Sequence, residues 1–119
     1  MMNSEELKGR LRNIESSNIK ISIHAGKRIQ DIRRKISYSQ IISLIVSQKG
    51  LYKIQEQSAK DTNELKFKLW FQLNYLYDMN VYIVINKIPL EKSLNRLMII
   101  SAHKVKRRIQ RQIENENKH

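Results

Sequence analysis

From residue 65 to residue 77 the chain alternates with a period of two. Leu65, Phe67, Leu69, Phe71, Leu73, Tyr75 and Tyr77 fall on one side, and Lys66, Lys68, Trp70, Gln72 and Asn74 on the other. Successive side chains of a strand point to opposite faces, so this pattern calls for a long strand with one face buried and one face wet. A helix cannot use it, because a 3.6-residue period would scatter the apolar side chains around the whole cylinder. Such a strand needs neighbours, and the flanking sequence offers them. Asp78-Met79-Asn80 reads as a tight turn and 81–88 as the returning strand. Residues 51–57 form a mixed strand-like run, 58–63 a polar turn, and 94–105 a last strand after a loop with the only proline, Pro89.

Upstream the period changes. Leu7, Leu11 and Ile14 make one narrow apolar stripe, which predicts a short, loosely held helix within 1–18. Residues 18–23 alternate and predict a short strand or an extended lead-in. From 24 to 35 the spacing is helical. Ala25, Ile29, Ile32 and Ile36 share one face, and His24, Arg28, Asp31 and Lys35 the opposite one. Ser37 or Ser39 can cap a second helix whose Ile41, Ile42, Leu44, Ile45 and Val46 are largely buried. Gly50 suits the left-handed position that ends such a helix. The expected fold is α+β: N-terminal helices packed on one face of a four-stranded antiparallel sheet, with a short basic C-terminal helix over 104–113. The segmentation is a loosely ordered 1–18, a single domain over 19–113 and a frayed tail over 114–119.

A chain of 119 residues fits one domain, and 40% hydrophobic residues suffice for a core. It contains no cysteine, which excludes a disulfide scaffold, a thiolate metal site and a cysteine nucleophile. No apolar run approaches the ~20 residues of a membrane span, so a soluble cytoplasmic protein is expected. Lys and Arg number 23 against 11 Asp and Glu, a net +12. That charge favours polyanionic partners: nucleic acid first, then an anionic membrane surface or an acidic protein. The alternative is a solvated basic surface that only aids solubility. Lys20, Lys27, Arg28, Arg33, Arg34 and Lys35 form one cluster, and Lys104, Lys106, Arg107, Arg108 and Arg111 another.

If Leu65, Phe67, Leu69 and Phe71 face the helices, Lys66, Lys68, Trp70 and Gln72 face away, with Lys53 and Gln55 extending that face. Lysines neutralise phosphates and an indole can stack on a base, which makes this stripe a candidate nucleic-acid platform. The competing reading is an ordinary polar face with a Trp that packs under the C-terminal segment. His24 and Arg28 stand one helical turn apart. An imidazole moves protons near neutral pH and a guanidinium holds a phosphate with two hydrogen bonds, so the pair suits metal-free RNA cleavage. A cap or surface histidine is the plainer alternative. His103, expected on the side of Leu97, Ile99 and Ser101 at a sheet edge, is a second candidate acid or base, or else a structural histidine. The scattered carboxylates offer no metal-ligand spacing, and Gly9, Gly26 and Gly50 cannot build a phosphate loop, so no metal and no cofactor are expected.

The motif His24-Ala25-Gly26-Lys27-Arg28, then Arg33-Arg34-Lys35-Ile36-Ser37, followed by a helix, a glycine and strands, resembles the RelE/ParE-like toxin superfamily over residues 23–105. The spacing between Arg28 and Ile36-Ser37 is longer than in that pattern, as is the basic extension after Val105. The superfamily holds metal-free endoribonucleases, gyrase poisons and inactive relatives. The resemblance implies RNA binding and metal-independent cleavage in a toxin–antitoxin setting. It carries over His24, Arg28 and Arg34 (or Arg33 in its place); His103 is added from position and chemistry. Two rival readings stand beside it: a non-catalytic nucleic-acid-binding accessory protein, and an interaction protein neutralised by an acidic antitoxin-like partner. Exposed sheet edges would also allow a homodimer.

Overall fold

Phe67, Leu69 and Phe71 are all buried, and the strand that carries them, β3 (Glu64–Gln72), lies inside a five-stranded sheet. The computed structural model describes residues 3–29, 37–87 and 96–107. In chain order these form α1 (Ser4–Asn13), a 3-10 turn (Ser16–Asn18), β1 (Ile19–Ile21), α2 (Ile23–Ile29) and α3 (Tyr38–Ser47). Then come β2 (Leu51–Gln57), β3, β4 (Tyr77–Asn86) and β5 (Leu97–Lys106). The fold is α+β, and the sheet order is β1-β5-β4-β3-β2.

The sheet departs from the expected four antiparallel strands. Ile19, Lys20 and Ile21 pair in parallel with Leu97, Met98 and Ile99, which adds a fifth strand and makes the sheet mixed. The alternating lead-in is thus a strand, and the Ser22 amide extends it by donating to the Ile99 carbonyl at 2.9 Å. The hairpin also turns earlier than expected. β3 stops at Gln72, and the chain reverses through 73–76, where Asn74 Oδ1 accepts the Leu76 and Tyr77 amides at 2.8 and 2.9 Å. An Asn side chain that caps its own downstream amides stabilises a reversal, and it outweighs the alternation that continues through Tyr77. Asp78, Met79 and Asn80 are accordingly mid-strand in β4.

The core lies between α1, α3 and one face of the sheet. Leu7, Leu11 and Ile14 meet Ile41 and Ile45, and all pack with Phe67, Leu69 and Phe71 of β3, Met79, Val81, Ile83 and Ile85 of β4, and Leu97 and Ile99 of β5. Helix α1 is therefore a core element and not loosely held. Asn3 caps it by accepting the Glu6 amide at 2.9 Å. Gln48 Nε2 donates to the Lys8 carbonyl at 2.6 Å. The Arg10 guanidinium donates to the Asn86 carbonyl and side chain at 2.7 and 3.1 Å, while burial lowers its pKa from the ordinary value. Ser37 caps α3 by accepting the Gln40 amide at 3.1 Å. The left-handed residue that ends α3 is Gln48, at φ 60°, and not Gly50. Gly50 has φ 79° for another reason: it sits against the Gln72 backbone, and an added Cβ would collide with the Gln72 carbonyl oxygen.

Arg33, Arg34, Arg108, Arg111 and all but the start of the expected C-terminal helix lie outside the described residues. His24 and Arg28 belong to α2, which packs against β5, but their side chains also fall outside the description. Among the described residues no helix is long and apolar enough to cross a membrane.

Candidate nucleic-acid interface

The face of the sheet turned away from the core is built in ranks, because residues paired across antiparallel strands share a face. One rank holds Lys53, Trp70, Asn80 and His103; the next Gln55, Lys68, Tyr82 and Ser101; the third Gln57, Lys66, Val84 and Met98. On β2 to β5 these three ranks contain three lysines and no carboxylate, and the parallel pairing of Lys20 with Met98 extends the third rank by a fourth. Glu64 stands in the rank beyond one end, and Asp78 with Gln72 in the rank beyond the other. The neighbours expected from alternation, Lys66, Lys68, Trp70, Lys53 and Gln55, are therefore brought together on one surface.

The ammonium groups are held over aromatic rings. Lys68 Nζ lies 4.4 Å from the Trp70 ring centroid and 5.3 Å from that of Tyr82. Lys53 Nζ is 4.7 Å from Trp70, and Lys66 Nζ 6.0 Å from Tyr82. Each such contact contributes about 0.5–1 kcal/mol at an accessible site and restrains a flexible cation. Trp70 itself is only 5% exposed. Its ring underlies the lysines and is not the open stacking surface that the sequence suggests. What the surface presents is ammonium groups, carried on β3 by residues whose backbone positions are ~6.6 Å apart, the rise of two strand residues.

His103 reaches this surface through an irregularity. Tyr82 pairs with Ser101 but Ile83 pairs with Ile99, so Ile100 is an extra residue and the alternation of β5 is broken there. Leu97 and Ile99 face the core, whereas Ser101 and His103 face the lysines. The expected grouping of His103 with Leu97 and Ile99 fails for that reason. His103 pairs with Asn80 of β4, and the β1 partners of β5 end at Ile99, so His103 lies beyond the stretch that β1 covers. His103 Nε2 and Ser101 Oγ are hydrogen-bonded at 2.6 Å, and the His103 ring meets Tyr82 edge-on at 6.3 Å between centroids.

Beyond Trp70 lies an ion pair that sequence reading missed. Asp78 is 2% exposed; its Oδ1 accepts from Arg107 Nη1 at 2.6 Å, and its Oδ2 accepts from the Tyr52 hydroxyl at 2.5 Å. Tyr52 reaches it because β2 is irregular between Leu51 and Lys53. Arg107 thus neutralises a buried carboxylate, which withdraws it from the set of phosphate-binding candidates. Lys104 and Lys106 are exposed but pair with Met79 and Tyr77, on the sheet face opposite to Lys53, Lys66 and Lys68, with Lys104 Nζ 4.7 Å from the Tyr77 ring centroid. Asp78, Asn80 and Tyr82 alternate with Met79, Val81 and Ile83, a signal hidden by placing the turn at 78–80.

Comparison with protein-family models, curated proteins and solved structures finds no match to this chain.

Proposed function

We propose that this chain is a small RNA-binding protein of RelE-like toxin type, and that RNA lies on the outer face of its sheet. The observation that carries this reading is the gathering of Lys53, Lys66 and Lys68 in three adjacent ranks free of carboxylates, in a chain of net charge +12. Ammonium groups gathered on one face neutralise phosphates and release counterions, which supplies affinity without base sequence. The superfamily resemblance supports RNA over DNA.

A catalytic version of the same reading is favoured by the position of His103 among those lysines. An imidazole there would take the proton of a ribose 2′-hydroxyl. The 2′-oxygen would attack the adjacent phosphorus and the 5′-oxygen would leave with a proton, giving a 2′,3′-cyclic phosphate and a 5′-hydroxyl end. The lysines would stabilise the charge that builds on the phosphoryl oxygens. His24, Arg28 and Arg34 enter this scheme through the resemblance, His24 as the partner acid or base and the arginines as phosphate clamps. The test is incubation with labelled single-stranded RNA in EDTA over a range of salt. Salt-sensitive binding with cleavage that the His24→Ala/His103→Ala variant loses supports a metal-independent ribonuclease. Binding with the RNA left whole assigns a non-catalytic accessory role, and no binding overturns the RNA reading.

A further inference from the structure

The β3–β4 turn carries an aromatic ring out into solvent. Tyr75 is 81% exposed and Leu76 beside it 52%. The turn that carries them is held firmly. Asn74 Oδ1 accepts two amides of the turn, the Leu73 amide donates to the Tyr77 carbonyl at 3.0 Å, and the Arg107 amide donates to the Leu76 carbonyl at 2.9 Å. The last of these bonds ties the turn to the end of β5. Lys106, which pairs with Tyr77, and Lys104, over the Tyr77 ring, therefore flank it.

The aromatic rings around the turn and on the outer sheet face are engaged. Trp70 and Tyr82 lie under lysines, Tyr77 under Lys104, and Tyr52 gives its hydroxyl to Asp78 with the Arg107 guanidinium 5.9 Å from its ring. We propose that Tyr75 is the nucleobase contact of this protein, stacking on an unpaired base while Lys104 and Lys106 hold the flanking phosphates. The inference rests on the RNA reading above and narrows it to single-stranded substrate. A base in a duplex is already stacked on both faces and cannot receive a ring, whereas an unpaired one offers a π-face whatever its identity. The hydrogen-bonded turn fixes the backbone that carries the ring, so little backbone entropy is lost on stacking.

The experiment uses the full chain and three RNAs of equal length: a single strand carrying 2-aminopurine, the same strand with an abasic site in its place, and a duplex. Wild type should bind the single strand most tightly and quench the 2-aminopurine. Tyr75→Ala should lower that affinity about 5- to 150-fold, the range for loss of one base–aromatic stack. It should leave abasic and duplex binding within about twofold, and Tyr75→Phe should restore both affinity and quenching. Equal losses on all three RNAs, or no loss on the single strand, would overturn the stacking role while leaving RNA binding standing. Unchanged RNA affinity with altered sedimentation of Tyr75→Ala would reassign the turn to a protein contact and overturn it as well. Absence of wild-type binding to any of the three is the separate failure of the RNA reading itself.

Discussion

Asp78 and Gly50 show how much a single position can decide in this chain. A carboxylate that is 2% exposed is tolerable only with its charge answered, and Arg107 and Tyr52 both answer it. Asp78→Ala should cost on the order of 3 kcal/mol, because it strands a partly buried guanidinium. The Asp78→Ala/Arg107→Ala double variant should lose less than the sum of the singles, a coupling that urea unfolding followed by Trp70 fluorescence will measure. Additive losses would mean that the pair does not interact in solution. Gly50→Ala should cost about 1–3 kcal/mol in the same assay, since φ 79° strains any L side chain and the Gln72 carbonyl blocks the methyl group. At this scale the sequence was only half legible. A glycine after a helix was readable as left-handed, but the helix ends on Gln48, and the need for glycine at 50 comes from a strand residue more than twenty positions away.

Secondary structure carries the candidate site through registers more than through residue types. The period of β3 placed Lys66, Lys68 and Trp70 on one face and the core residues on the other, as observed. Two local events were not written in the period. Asn74 ends β3 within the alternating run, and the extra residue at Ile100 turns His103 from the side of Leu97 and Ile99 to that of the lysines. Both depend on which residue faces which across the ladder, and alternation along one strand does not contain that. Likewise the three residues of β1 acquire meaning only beside β5, so the fifth strand was legible as a strand but not as a parallel partner. Helix α1 was underestimated because its stripe is narrow, yet Leu7 and Leu11 fill the core between α3 and the sheet. Leu7→Ala or Leu11→Ala should each cost about 2–5 kcal/mol by urea unfolding, the price of a cavity at a fully buried leucine. A loss under 0.5 kcal/mol would show α1 detached.

For the molecule as a whole the governing quantity is charge and where it stands. A net +12 spread evenly would aid solubility and give weak, unfocused attraction to any polyanion. Here Lys53, Lys66 and Lys68 are concentrated on one sheet face and restrained by the rings beneath them, while the carboxylates of that face stand in the outer ranks. These side chains pack over the sheet from outside and take no part in the core, so replacing all three should leave the fold intact by circular dichroism. The most direct test is therefore the salt dependence of single-stranded RNA binding, measured for wild type and for the Lys53→Ala/Lys66→Ala/Lys68→Ala variant. If RNA lies on this face, wild-type affinity falls steeply with salt, and the variant binds more weakly with a log–log slope shallower by about 2, roughly 0.7 for each lost phosphate contact. A folded variant that binds RNA with the wild-type affinity and slope would contradict the assignment of the outer sheet face as the RNA-binding surface.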